Sequence, residues 1–241
     1  MRFRLLFLLC TALAVARADE PVLDAEAQRE QAVHEKDLQR NPSSAAAHFS
    51  YAEFYSNHGQ LRPAITHWRF AQLLDPTNAA VANSLGGAYL HMGRAAQSAE
   101  QFQRAINCAG AVAAYHYNLG NVEFLLRHDL TAAWQINDDT LLHRALAEFR
   151  AASRLSPNDM EYARSYAETF YGVPNADWVE ADAAWKHVLE LSPQGDFAYL
   201  QLARVSLKRG DKMQARQFLD QIRNSQHDSL KQKLRDQADK L

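Results

Sequence analysis

Residues 79–110 read AAVANSLGGAYLHMGRAAQSAEQFQRAINCAG, and their spacing predicts two helices joined by a short turn. Apolar residues recur at helical spacing on both sides of Gly93, and a glycine at that point acts as a helix stop. Gly86 stands where the second helix must cross close to the first, since a side chain there would hold the two backbones apart. Tyr89, one turn on, fills the gap beside it, and Ser98, Phe102 and Ala105 follow beyond the turn.

The same features continue in both directions. Ala52, Gly86, Gly120, Ala167 and Ala203 form a ladder of small residues spaced 34, 34, 47 and 36 positions apart. Behind it runs a ladder of large ones, Trp68, Phe102, Phe149, Trp185 and Leu219, spaced 34, 47, 36 and 34. A period of ~34 residues implies helix-turn-helix units stacked in a solenoid, each contacting only its neighbours. The first unit repeats the pattern as Tyr51-Ala52-x-x-Tyr55, Gly59, Ala64-x-x-x-Trp68, Ala71 and Asp75-Pro76, where proline cannot continue a helix. Leu119-Gly120, Ala145-x-x-x-Phe149 with Pro157, Ala181-x-x-x-Trp185 with Pro193, and Ala215 with Leu219 extend it to five units.

These residues resemble the tetratricopeptide repeat family, whose signature joins a Leu-Gly pair, a tyrosine, an Ala-x-x-x-Phe step and a terminal proline. The resemblance covers residues 44–227 and implies an all-α, right-handed α-solenoid closed by a capping helix over 228–241. In that helix Leu230, Leu234, Ala238 and Leu241 share one face, which suits either a cover for the last repeat or a docking helix for a partner. Residues 19–43 carry many charges and few large apolar side chains, the pattern of a loosely attached helix or linker. Thirteen extra positions around residues 127–140 depart from the period. They are either a functional loop or an extension of the third unit's helices, with Asp139-Thr140 capping the helix that follows. Val173-Pro174-Asn175 is read as the turn of the fourth unit.

In the resembling family the first helix of each unit lines a concave groove, so the resemblance implies three exposed rows. One is Phe49, Asn83, Tyr117, Arg164 and Leu200; the next is Glu53, Gly87, Asn121, Glu168 and Arg204; the third is Leu90, Phe124, Tyr171 and Leu207. Aromatic anchors beside amide and guanidinium donors are what a peptide-binding surface requires. Leu90, Phe124 and Leu207 also suit packing between successive units. Candidate partner-binding residues are therefore Phe49, Glu53, Asn83, Tyr117, Asn121, Phe124, Arg164, Glu168, Tyr171 and Arg204. Some relatives clamp a terminal carboxylate with lysine and asparagine, but Phe49 and Glu53 hold those places here, so the clamp is missing.

Composition narrows the functional classes. Residues 1–18 place Arg2 and Arg4 ahead of an apolar run from Leu5 to Val15 and then Ala16-Arg17-Ala18, the form of a cleavable export signal. The run is about eleven residues, too short for a bilayer span of ~20, although an uncleaved anchor has the same composition. Cleavage removes Arg2, Arg4 and Arg17 and no acid, so the 26 basic residues fall to 23 against 28 acidic ones, a formal charge of −5. That balance argues against nucleic acid as a partner. Cleavage also removes Cys10, leaving Cys108 alone, read as a packed thiol or a cross-link between two chains.

Ten histidines raise the question of metal or catalysis. His48 and His116 occupy equivalent places in the first and third units and suit half-buried packing between helices, while His58 and His67 flank a turn. His128, Asp129, Asp138, Asp139 and His143 around the extra segment are the best metal candidate. No nucleophile elbow, phosphate loop or Cys-x-x-Cys occurs. The expectation is an exported scaffold that binds a protein or peptide, needs no cofactor or metal, has no stable membrane span after cleavage and catalyses nothing. The alternatives are a homo-oligomeric assembly component and a metal-binding protein.

Overall fold

The computed structural model describes residues 21–193 and 195–240, so the leader-like residues 1–18 and Leu241 lie outside the described residues. Among the described residues every regular element is helical. The helices are α1 (Ala25–Arg40), α2 (Ala45–Asn57), α3 (Leu61–Leu74), α4 (Ala79–His91), α5 (Ala95–Cys108), α6 (Ala113–Leu125) and α7 (Arg127–Trp134) in a first compact unit ending at Ile136. A second unit beginning at Asn137 contains α8 (Asp138–Leu155), α9 (Met160–Thr169), α10 (Trp178–Leu191), α11 (Asp196–Lys208), α12 (Lys212–Gln221), a 3-10 turn (Ser225–His227) and α13 (Asp228–Asp239).

In the first unit α2 pairs with α3 and α4 with α5, and each hairpin stacks on the next. Starts and stops are written locally. Ser44 and Asn78 cap α2 and α4, their side-chain oxygens accepting the N–H groups of Ala47 and of Ala80 and Val81. The turns of these hairpins, and that between α11 and α12, share one device, a glycine in the left-handed region: Gly59 at φ 72°, Gly93 at φ 69° and Gly210 at φ 74°. The N–H of the following residue then reaches back five positions, Gln60 to Tyr55, Arg94 to Tyr89 and Asp211 to Ser206, at 2.8–2.9 Å. A residue with a Cβ resists that backbone conformation, so the recurrence of glycine has a steric cause.

Both ladders lie in the interior, as the crossing argument requires. Ala52, Ala167 and Ala203 are fully buried, Gly86 and Gly120 are buried, and every member of the large-residue ladder from Trp68 to Leu219 is buried. A Cβ on Gly86 would sit 2.6 Å from Cδ1 of Phe102, inside any real contact, and the Gly86 carbonyl accepts a 2.8 Å hydrogen bond from Ser98 Oγ. Each such aromatic or leucine taken from water contributes roughly 1.5–3 kcal/mol.

Three expectations need correction. The first is that α1 is docked on α2 rather than loosely attached. Ala27 is buried, Leu23 and Leu38 join the core around Tyr51, Phe54 and Tyr55, and Gln31 donates to Tyr55 Oη while Tyr51 Oη donates to Glu35. A small alanine and polar bonds do the holding, which is why a search for large apolar residues misses it. The second is the cap of α8, which is Asn137 rather than Asp139-Thr140; its Oδ1 accepts from the Thr140 N–H at 2.8 Å and the Thr140 hydroxyl at 2.6 Å. The extra segment ahead of it is itself a helix, α7, packed on α5 and α6 with Leu130 fully buried and ended by left-handed Gln135. The third concerns the last helix, where Leu234 and Ala238 are buried but Leu230 remains 42% exposed.

Candidate interaction surface

The positions read from the repeat pattern fall on first helices in both units, except Tyr171, which lies in the turn after α9. In the first unit Phe49, Glu53, Asn83, Tyr117, Asn121 and Phe124 are all half-buried. Phe49 packs on the core around Tyr51 and Trp68. Glu53 accepts the indole N–H of Trp68 at 2.9 Å and the Ser84 hydroxyl at 3.1 Å, so it ties α2 to its own partner helix and to α4. Asn83 accepts a 2.9 Å bond from the Asn118 amide, joining α4 to α6. Beside these bridges a Cβ on Gly87 would meet nothing within 4 Å, so the backbone there borders open space.

In the second unit Arg164 and Glu168 form an i,i+4 ion pair at 2.7 Å, and the Arg164 guanidinium stands 4.9 Å from the centre of the Phe197 ring. Arg204 lies 4.5 Å over the ring of Tyr171 and donates to Gln201 Oε1 at 3.0 Å, while Tyr171 Oη donates to the Gln201 carbonyl at 3.3 Å. Burial pushes the Tyr171 hydroxyl up to about 12; the Arg204 charge pulls against that shift and Glu168 adds to it. Tyr171 is therefore a neutral donor and aromatic platform at ordinary pH. Leu200, placed in an exposed row by the repeat pattern, is 2% exposed and packs with Ala203, Leu219, Ile222 and Leu234.

Tyr171, Arg204 and Leu207 open onto a cavity of about 650 Å³ whose other walls are Lys208, Leu230, Lys233, Leu234 and Gln237. Lys208 reaches over Trp178, with Nζ 5.6 Å from the ring centroid. Lys208 and Lys233 were missed as site residues. Lys208 lies one helical turn beyond Arg204, a signal present in the sequence, but Lys233 sits on α13 and its proximity depends on how α13 packs against α11 and α12.

The histidines and Cys108 need further corrections. His48 is 9% exposed, with Nε2 3.2 Å from the Pro42 carbonyl and Nδ1 3.0 Å from Nδ1 of His67. His67 does more than flank a turn, since its ring lies 4.4 Å from that of Tyr51. Burial first, then the neighbouring His48 and His34, push its pKa down to about 4. Among the described residues no three His, Cys, Asp or Glu side chains are grouped so as to hold a metal ion. Cys108 is exposed at the end of α5 rather than packed. No described helix is long and apolar enough to cross a membrane.

Stacked helical hairpins with glycine or alanine at each crossing are the architecture of tetratricopeptide repeat proteins, and the chain has that fold. It is similar to the crystal structure of YrrB, described as a tetratricopeptide protein with an unusual peptide-binding site, at TM-score 0.64 and 20% identity over 86% of this chain and 98% of that one. MamA is similar at TM-score 0.57 and 15% identity, covering 74% of this chain and 89% of its own, and PilF of Pseudomonas aeruginosa at 0.56 and 20%, covering 88% and 87%. The sequence matches no family model and no curated protein.

Proposed function

We propose that this chain is a non-catalytic interaction scaffold that holds a polypeptide on the outward faces of its first helices, and that it works after export. The observation that carries the reading is the pairing of Tyr171 with Arg204 at the mouth of an open cavity, an aromatic platform and a fixed donor where a peptide chain can lie. In the first unit Phe124 and Asn121 occupy the equivalent register, with Tyr117 one turn before Asn121, and the open backbone at Gly87 leaves room for close approach. The peptide-binding site of YrrB, on the same fold, supports the reading. Export rests on the arginine-led apolar run of residues 1–18.

The test is selection of random peptides on the immobilised full chain, followed by titration against two variants, Tyr117→Ala and Arg204→Ala. Peptides should be recovered, and one or both substitutions should weaken them by about tenfold with the circular dichroism melt unchanged. If no peptide is retained, or if both variants bind as the parent does, the scaffold reading fails.

A second reading, self-association, has its own observation. Phe70 (48% exposed), Leu73 (76%) and Leu74 (40%) lie on α3 near Pro76. Light scattering that returns an oligomer abolished by Leu73→Asp would favour it.

A further inference from the structure

The cavity lined by α11 and α13 carries charge of one sign. Three of its lining side chains, Arg204, Lys208 and Lys233, are cationic and none is acidic, in a chain with 28 acidic and 26 basic residues. Five arginines elsewhere in this unit are matched to carboxylates: Arg164 with Glu168, Arg150 with Glu180, Arg209 with Asp182, Arg235 with Asp220, and Arg216 with Asp239. Around the cavity the cations rest on aromatic faces instead, Arg204 on Tyr171 and Lys208 on Trp178. A ring holds a cation in place without cancelling its charge, so the field stays available to a ligand. Glu168, the acid whose charge is felt at Tyr171, is engaged by Arg164 at 2.7 Å. Leu207, Leu230 and Leu234 supply apolar wall between the cations.

We propose that this cavity receives an acidic stretch of a partner polypeptide, its carboxylates meeting Arg204, Lys208 and Lys233 and an apolar side chain lying against Leu207 and Leu230. The inference rests on the polypeptide-binding reading and gives the partner a chemistry. The site differs from a terminal-carboxylate clamp, for its residues come from one first helix, the turn after α9 and the last helix rather than from three consecutive repeats. A volume of about 650 Å³ suits a few side chains of a peptide. A lipid surface or a nucleic acid backbone would call for cations spread over a face, whereas these three gather in a hollow with leucine walls.

The experiment is fluorescence anisotropy on the purified full chain with three labelled ten-residue probes: one of glutamate and leucine, its glutamine counterpart and its lysine counterpart. The acidic probe should bind at least about tenfold more tightly than the glutamine probe and weaken as salt rises. Lys208→Glu together with Lys233→Glu should remove that preference, while Lys36→Glu on α1 leaves it unchanged. Equal binding of the three probes, or an acidic preference that survives the double charge reversal, overturns the assignment. So does a vesicle of phosphatidylglycerol and phosphatidylcholine, or a 20-nucleotide single strand, that outcompetes the acidic probe at the same lysines. If the glutamine probe binds and is lost in Tyr117→Ala, the scaffold reading stands and the acidic assignment alone fails. If no probe and no selected peptide binds, both fail.

Discussion

Gly86 and Phe102 carry the fold at the scale of single residues. The Cβ that alanine would bring lies 2.6 Å from a ring carbon, and the ring belongs to a side chain 2% exposed with nowhere to turn. Gly86→Ala is therefore expected to lower stability by ~1–3 kcal/mol through overpacking, against the small helical gain alanine normally brings. Urea denaturation checks it, and an unchanged or raised midpoint would mean that the crossing is looser than it looks. His67 gives a second residue-scale expectation. Its folded pKa, near 4, lies below the ordinary histidine value of ~6.5, so between those values the unfolded chain binds the extra proton first. Its contribution is complete above about pH 6.5 and is lost as pH falls toward 4. Melting temperatures across that window should fall less steeply in His67→Gln than in the parent; parallel curves would contradict the linkage.

At the scale of elements, the ladders were legible because a close helix crossing admits only glycine or alanine and the facing ring must be large. That constraint repeats every time a hairpin forms. The bridges of Glu53 were not legible, since its partners Trp68 and Ser84 are 15 and 31 positions away and a half-buried carboxylate reads as a surface charge. Helix α1 escaped because its docking depends on Ala27 and on tyrosine hydroxyls, which carry no apolar periodicity. Helix α7 broke the register of the repeat, and only its packing on α5 and α6 gives Leu130 a burial site. The restart after it depends on one residue. Asn137→Ala should cost ~1 kcal/mol and speed hydrogen exchange in the first turn of α8, while α9 to α12 keep their protection. Unaltered exchange at Thr140 would show that Asn137 is not the cap.

At the scale of the molecule, each compact unit offers first-helix faces, and the two faces differ in chemistry. That of the first unit is lined by amides and half-buried rings at Asn83, Tyr117, Asn121 and Phe124. That of the second carries unneutralised cations stacked on aromatic rings. The outward rows could be read in the sequence only through the repeat register, which placed Tyr171 and Arg204 side by side in principle. It placed Leu200 outward wrongly, because α13 folds back on α11 and covers it. The contribution of Lys233 comes from that same fold-back, which has no period to betray it.

The central claim, that a polypeptide lies on first-helix faces, is tested most directly by photo-cross-linking. A selected peptide carrying a benzophenone would be irradiated on the full chain and the attachment sites read by mass spectrometry. The account predicts adducts at Tyr117, Asn121, Tyr171, Arg204 and Leu207; adducts concentrated at Phe70, Leu73, Val179 and Met213, exposed apolar side chains of the second helices, would contradict it.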